Sequence, residues 1–303
     1  MRIAVTGREG QVVRSLIERA HGSGHDIVAV GRPEVDLGGD PDAIVRAVRS
    51  SSPDAIVSAA AYTAVDRAEE ERDIAFAVNA RGAGAVAQAA ASLGVPLIHL
   101  STDYVFDGSK AEPYVESDPV GPAGIYGASK LAGEQAVLAA NTNSAILRTA
   151  WVYSPFGANF VKTMLRLAAD RDEVSVVSDQ VGNPTSALDI ADGILAVVSK
   201  LASSPDPDLR GIFHMTGEGD ATWADFAEAI FAASAETGGP SARVRRIASA
   251  DYPTPAKRPA NSRLDGTKLQ HVHGVRLPNW RRSLPDVVRR LVHQIAETKV
   301  SQE

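Results

Sequence analysis

Arg2-Ile3-Ala4-Val5-Thr6-Gly7-Arg8-Glu9-Gly10-Gln11-Val12-Val13 runs from an unbroken apolar segment through two glycines into a helical pattern. An apolar run without alternation is what a strand covered on both faces requires. A glycine at its end permits the tight turn that other residues resist. Strand, glycine turn and helix in direct succession open a βαβ unit, and the first half of the chain repeats the theme. Further strand-like runs cover 26–30, 55–59, 97–101 and 145–149, with helical stretches over 11–21, 42–51, 65–92 and 128–140. Two more strands are expected at 174–178 and 212–216, separated by a helix over 188–201. The pattern predicts an α/β fold, a doubly wound Rossmann-type parallel sheet of about seven strands with a smaller, mainly helical lobe.

Residues 1–150 plus 174–218 are expected to build the sheet domain, and 151–173 plus 219–303 the second lobe. In that lobe helices are expected over 157–170, 223–236 and 283–298, while closely spaced prolines at 253, 255 and 259 forbid regular structure.

Composition narrows the function classes. The chain has 303 residues, of which 44% are hydrophobic and 22% charged, as in ordinary globular proteins. A net charge of −6 provides no footprint for a nucleic-acid backbone, and the basic run Arg243 to Arg246 reads as solvated surface. No apolar stretch is long enough to span a membrane, no export signal is visible and there is no cysteine, so a cytoplasmic protein is expected.

The glycine turn lies at the C-terminal edge of a parallel sheet, where such folds bind ligands. Gly7 would make the turn, and Gly10 would let the amides of Gln11 and Val12 at the helix N-terminus meet a pyrophosphate. Val13 stands where a third glycine is usual. The second strand ends Val30-Gly31-Arg32, without the acid that grips an adenosine ribose, and a guanidinium there matches a 2′-phosphate. NADPH is therefore the expected cofactor, with NADH possible. Asp36 and Leu37 would flank the adenine, and Ala59, Ala60 and Ala61 would let the backbone pass close to the dinucleotide.

Tyr126 and Lys130, four apart at the start of a helix, share one face, so that an ammonium can tune a phenol for proton transfer. Thr102, at the end of the fourth strand, would hydrogen-bond the same carbonyl oxygen. The three are the expected catalytic set.

The glycine turn, Ser101-Thr102-Asp103-Tyr104-Val105-Phe106, the block from Tyr126 to Glu134, Trp151-Val152-Tyr153, Asp179-Gln180-Val181-Gly182-Asn183-Pro184-Thr185 and Arg258-Pro259-Ala260-Asn261-Ser262 together resemble the dTDP-4-dehydrorhamnose reductase family of extended short-chain dehydrogenases. The resemblance implies reduction of a dTDP-linked 4-keto-6-deoxy sugar, dTDP-6-deoxy-L-lyxo-4-hexulose, to dTDP-L-rhamnose. It also implies that Tyr126 donates the proton, Thr102 polarises the C4 oxygen and Lys130 tunes the tyrosine and holds the nicotinamide ribose. Thr102, Asp103, Tyr104, Trp151, Asn159, Arg258, Asn261 and Ser262 would face the sugar nucleotide. A homodimer is possible. Some members bind magnesium at a dimer contact, but no carboxylate cluster is legible for it here and no metal is assigned. A dehydratase or epimerase of the same superfamily is the nearest enzymatic rival, but a dehydratase would carry glutamate where Tyr104 stands, which argues against elimination. Two alternatives stay open: a reductase of another dTDP-4-keto-6-deoxy sugar, and a non-catalytic NADP-binding subunit, similar to that of methionine adenosyltransferase, which can keep the Tyr–Lys pair.

Overall fold

A computed structural model describes residues 1–300. Strands β1 (Arg2–Thr6), β2 (Asp26–Val30), β3 (Ala55–Ser58), β4 (Leu97–Thr102) and β5 (Ser144–Thr149) form one parallel sheet with a sixth strand, Gly211–His214. Its spatial order is Gly211–His214, β5, β4, β3, β1, β2. The chain thus steps outward from β1 to β2, then returns to β3 on the other side of β1. The crevice beyond the C-terminal ends of β1 and β3 is the switch point at which doubly wound sheets bind ligands.

Every residue of β3, β4 and β5 is buried, as strands covered on both faces of a sheet are. One face is covered by α1 (Gln11–Ala20) and the Ala187–Ser203 helix, through Val13, Leu16, Ile190 and Ile194. The opposite face is covered by α2 (Pro41–Ser50) and the Ala83–Leu93 helix, through Ile44, Val48, Val86 and Ala90.

The sheet has six strands, not about seven. Glu173–Val177 is a strand, but it pairs in parallel with Arg243–Ile247 as a separate two-stranded ribbon. Its burial alternates, with Val174 and Val176 inside and Glu173 and Ser175 exposed, so it has only one apolar face to bury. That face joins Val161, Leu165, Phe226, Ile230, Trp280 and Val288 in a second core. Within the expected 174–218 segment, the strand therefore packs with the second core, whereas the Ala187–Ser203 helix and Gly211–His214 pack on the sheet. Leu269, Val275 and Leu277, expected in the second lobe, also pack on the sheet. The basic run forms the exposed strand of the ribbon, with Arg246 paired to Asp225 at 2.5 Å and Glu228 at 2.8 Å.

The helix expected over 65–92 is broken into Val65–Ala68, Arg72–Phe76, a π-helical turn Ala77–Gly82 and Ala83–Leu93. The wider turn carries the buried Asn79, whose amide donates to Ser129 Oγ at 2.9 Å and Tyr62 O at 3.0 Å. An extra residue in a helical turn re-aims side chains in this way, a recurrent feature near functional sites.

Candidate active site

The turn after β1 is built by close backbone packing. Gly7 has φ +96°, the region that favours glycine, and its N–H donates to Val30 O at 2.7 Å. A Cβ at Gly31 would lie 3.1 Å from Gly7 Cα, so both glycines are needed for the approach. Thr6 Oγ1 accepts from the amides of Ala59 at 2.9 Å and Ala60 at 3.0 Å, which ties the ends of β1 and β3 together along the crevice. Gly10 is the N-cap of α1, and no side chain caps that terminus. The first-turn amides at Gln11 and Val12 can therefore receive an anion, and the cradle fits a dinucleotide pyrophosphate. Val13 is 2% exposed and packs into the helix–sheet core, so the turn closes with valine at the third position.

The side chain of Gln11 is committed elsewhere. Its Oε1 accepts from Ser154 Oγ at 2.9 Å and Asn159 Nδ2 at 3.1 Å, so only its backbone faces a cofactor site without competition. Arg32 is exposed and pairs with Asp36 at 3.1 Å. The Gly38 amide, and after it Arg32, hold the Asp36 carboxyl below its ordinary range. Leu37 is not beside the crevice as expected: it is 7% exposed and belongs to the core under α2. Ala59, Ala60 and Ala61 are half-buried along the crevice.

Tyr126 and Lys130 lie on the Ile125–Ala140 helix, whose first amide is accepted by Glu69 Oε1 at 2.9 Å. Gly127 lets this helix pass directly against the carbonyl of Tyr104. That approach brings the Tyr126 phenol beside Thr102, the last residue of β4, whose hydroxyl donates to Asp103 Oδ1 at 2.9 Å. The Tyr104 ring meets Tyr126 edge-on, 5.5 Å between centroids. Burial, and secondly the Asp103 carboxylate, push the Tyr126 phenol upward from its ordinary range, while the Thr102 hydroxyl opposes. The phenol is thus held neutral, the state that gives a proton.

Lys130 shares the helix face with Tyr126, but its ammonium turns into the sheet. It donates to Leu100 O at 2.6 Å and lies 3.4 Å from His99 Nε2. The expected direct lowering of the phenol by the lysine charge is not what governs Tyr126 here, because burial and Asp103 act the other way. Lys130 itself, 3% exposed, is pushed down to about 8 by burial, with Glu134 opposing.

Around this pair the expected sugar-facing residues divide. Asp103 is 3% exposed and raised to about 6 by burial, which the neighbouring Ser262 and Thr102 hydroxyls oppose; Thr102 Oγ1 donates to its Oδ1 at 2.9 Å. Arg258 donates to Tyr104 OH at 3.2 Å and to Asp66 Oδ2 at 2.6 Å, so the proline-rich segment is tied across the cleft to the Val65–Ala68 helix. Arg258 and Ser262 therefore join the cluster. Asn261 does not offer its amide, which donates to Lys110 O and Glu112 O, both at 2.8 Å. Asn159 is likewise spent: it caps the Phe160–Ala168 helix and donates to Gln11, Ser154 and Phe156. Trp151 takes φ +48°, rare for a bulky residue, and its ring stacks on Trp223 at 3.5 Å. Strain of this kind gathers at functional sites. Trp223 and Asp66 carried no sequence signal, since their partners are distant in the chain.

The chain matches the family model described as the RmlD substrate binding domain over residues 1–293. It is 53% identical over 292 residues to a dTDP-4-dehydrorhamnose reductase of Sinorhizobium fredii, covering 96% of this chain and 97% of the relative. The chain belongs to the dTDP-4-dehydrorhamnose reductase family. Solved structures agree. The dTDP-4-dehydrorhamnose reductase of Bacillus anthracis in complex with NADP superposes with a TM-score of 0.87 at 35% identity, covering 94% of this chain and 98% of that one. The Clostridium acetobutylicum member gives 0.87 at 37% identity, covering 95% and 98%. Among the described residues no helix is long and apolar enough to cross a membrane.

Proposed function

We propose that this chain reduces the C4 keto group of dTDP-6-deoxy-L-lyxo-4-hexulose to give dTDP-L-rhamnose, using NADPH and accepting NADH less well. One observation carries the reading: the neutral phenol of Tyr126 stands beside the hydroxyl of Thr102, the last residue of β4, at the ligand-binding edge of the sheet. A carbonyl oxygen placed between them would receive one bond from each. The cradle at Gly7, Gly10 and Gly31 fits the cofactor, with Arg32 placed for a 2′-phosphate; the reduced nicotinamide supplies hydride to C4. Tyr126 gives its phenolic proton to the C4 oxygen, and Thr102 stabilises the charge that develops there. Lys130 would meet the nicotinamide ribose, and Arg258 the diphosphate once it leaves Asp66.

An elimination reaction needs a second acid after Asp103. Tyr104 fills that place and is bonded to Arg258 instead, which favours reduction. The family resemblance supports a cytoplasmic homodimer as part of the same proposal.

The test is product analysis after incubating the protein with the 3,5-epimerised dTDP-4-keto-6-deoxy sugar and each reduced cofactor. Tyr126→Phe is expected to keep NADPH binding while turnover falls by about 10²–10⁴-fold. Tight NADPH binding without reduction of the sugar by the wild type would sink the reading.

A further inference from the structure

We propose that His99 is a positioning residue for Lys130: a neutral imidazole, its proton on Nδ1 toward Ser58, that accepts from the lysine ammonium and sets how firmly it holds its charge. The proposal deepens the reductase reading and rests on it for its kinetic test.

β4 buries all six of its residues, and five of them need no comment at the edge of an active site. His99 does, because it places a polar ring in the middle of the sheet at 1% exposure. Its Nδ1 lies 3.1 Å from Ser58 Oγ on β3, and its Nε2 lies 3.4 Å from Lys130 Nζ. A lysine ammonium has only donors, so Nε2 must present its lone pair and the ring proton must sit on Nδ1. Nδ1–H then donates to Ser58 Oγ. Burial and the neighbouring lysine charge both drive the imidazole well below its ordinary range, so it stays neutral and the charge remains on Lys130.

Geometry fixes the chain of contacts from both ends. Ser58 is the last residue of β3, directly before the Ala59-Ala60-Ala61 segment along the cofactor crevice. Lys130 rises from the helix that carries Tyr126. Gly133 lets that helix close on the Asn79 carbonyl, and a Cβ there would already lie 3.7 Å from His99 Nε2. The other groups facing this site are accounted for. Glu134, on the same helix as Lys130, is locked to Arg148, and beyond Tyr126 stand Asp103 and Tyr104. Asn79, from the π-helical turn, is bonded to Tyr62 and Ser129. Of the two acceptors on Lys130, the Leu100 carbonyl belongs to the backbone, which leaves His99 as the one that a substitution can remove.

The test combines one spectroscopic and one kinetic readout. Nitrogen-15 correlation spectra of the histidine-labelled wild type are expected to show His99 neutral, with the proton on Nδ1, at pH from about 6 to 8. His99→Leu removes the acceptor; the alkaline limb of kcat, which reports loss of the lysine charge, is expected to move down by about one pH unit, with kcat lower by about tenfold. His99→Gln restores an acceptor and is expected to stay within about threefold of wild type. Ser58→Ala touches neither lysine nor substrate, yet removes the acceptor of Nδ1–H and so weakens Nε2 as an acceptor, and should move the limb in the same direction. If His99→Leu does not fold, Ser58→Ala and the spectrum decide. An Nε2–H tautomer in the wild type, or a Ser58→Ala limb that coincides with wild type, overturns the proposal. A wild type that reduces no sugar would instead fell the functional reading, and the tautomer would still decide this one.

Discussion

Glu134→Gln, which leaves side-chain volume nearly constant, should destabilise the protein by breaking a buried ion pair from one side. Arg148 and Glu134 face each other at 2% side-chain exposure, with Nε to Oε1 at 2.8 Å and Nη2 to Oε2 at 2.7 Å. Ser101 Oγ donates to the same carboxylate at 2.5 Å, and the guanidinium lies 5.0 Å from the Phe106 ring centroid. Glutamine keeps one acceptor oxygen, turns its NH₂ toward the guanidinium and leaves a buried cation without its counter-charge. Breaking such a pair from one side costs about 3–5 kcal/mol. At roughly 2 cal/mol/K of unfolding entropy per residue, the 303-residue chain carries about 0.6 kcal/mol/K, so Tm should fall by about 5–8 °C. Differential scanning fluorimetry at constant protein and cofactor concentration reads this directly. The double replacement Glu134→Leu with Arg148→Met, which removes both charges, should recover most of the loss. A Glu134→Gln protein melting within about 1 °C of wild type would refute the reasoning, because the pair would then be exchanging with water that the burial excludes.

Asp103 sits at about 6 in the folded state, above the ordinary value of 3.8, so the folded protein binds the extra proton between those limits. The penalty for ionising it is complete above about pH 6 and vanishes as pH falls toward 4. Asp103→Asn is therefore expected to raise Tm at pH 8 and to match wild type near pH 4, and an equal gain at both pH values would contradict the assignment. Arg32→Ala should weaken NADPH binding by about 10–100-fold in a fluorescence titration while leaving NADH nearly unchanged; equal losses for both would remove Arg32 from the 2′-phosphate. Arg258→Ala should raise KM for the sugar nucleotide by at least about tenfold with NADPH affinity intact, and an unchanged KM would place the diphosphate elsewhere.

Much of the frame was legible from local pattern. β1 and β2 lie where their unbroken apolar runs put them, and the Trp223–Glu236 helix, opened by a Thr222–Asp225 capping box, has the expected bounds. Tyr126 and Thr102 were readable as a pair because both stand at the C-terminal ends of adjoining units of a parallel sheet. The 173–177 strand was misplaced because a short β-branched run does not name its partner, and that partner begins at Arg243.

Sequence alone determined those features whose cause is short-range: strands covered on both faces are largely apolar, a left-handed turn wants glycine, and residues four apart share a helix face. Tertiary structure decided everything that depends on which distant atom satisfies a donor. The amides of Asn159 and Asn261 went to backbone carbonyls, Leu37 into the core, Arg258 to Asp66, and the Lys130 ammonium to Leu100 O beside His99 rather than to the phenol. A buried polar group must be paired, but the requirement is blind to chain distance, so only the packed fold selects the partner.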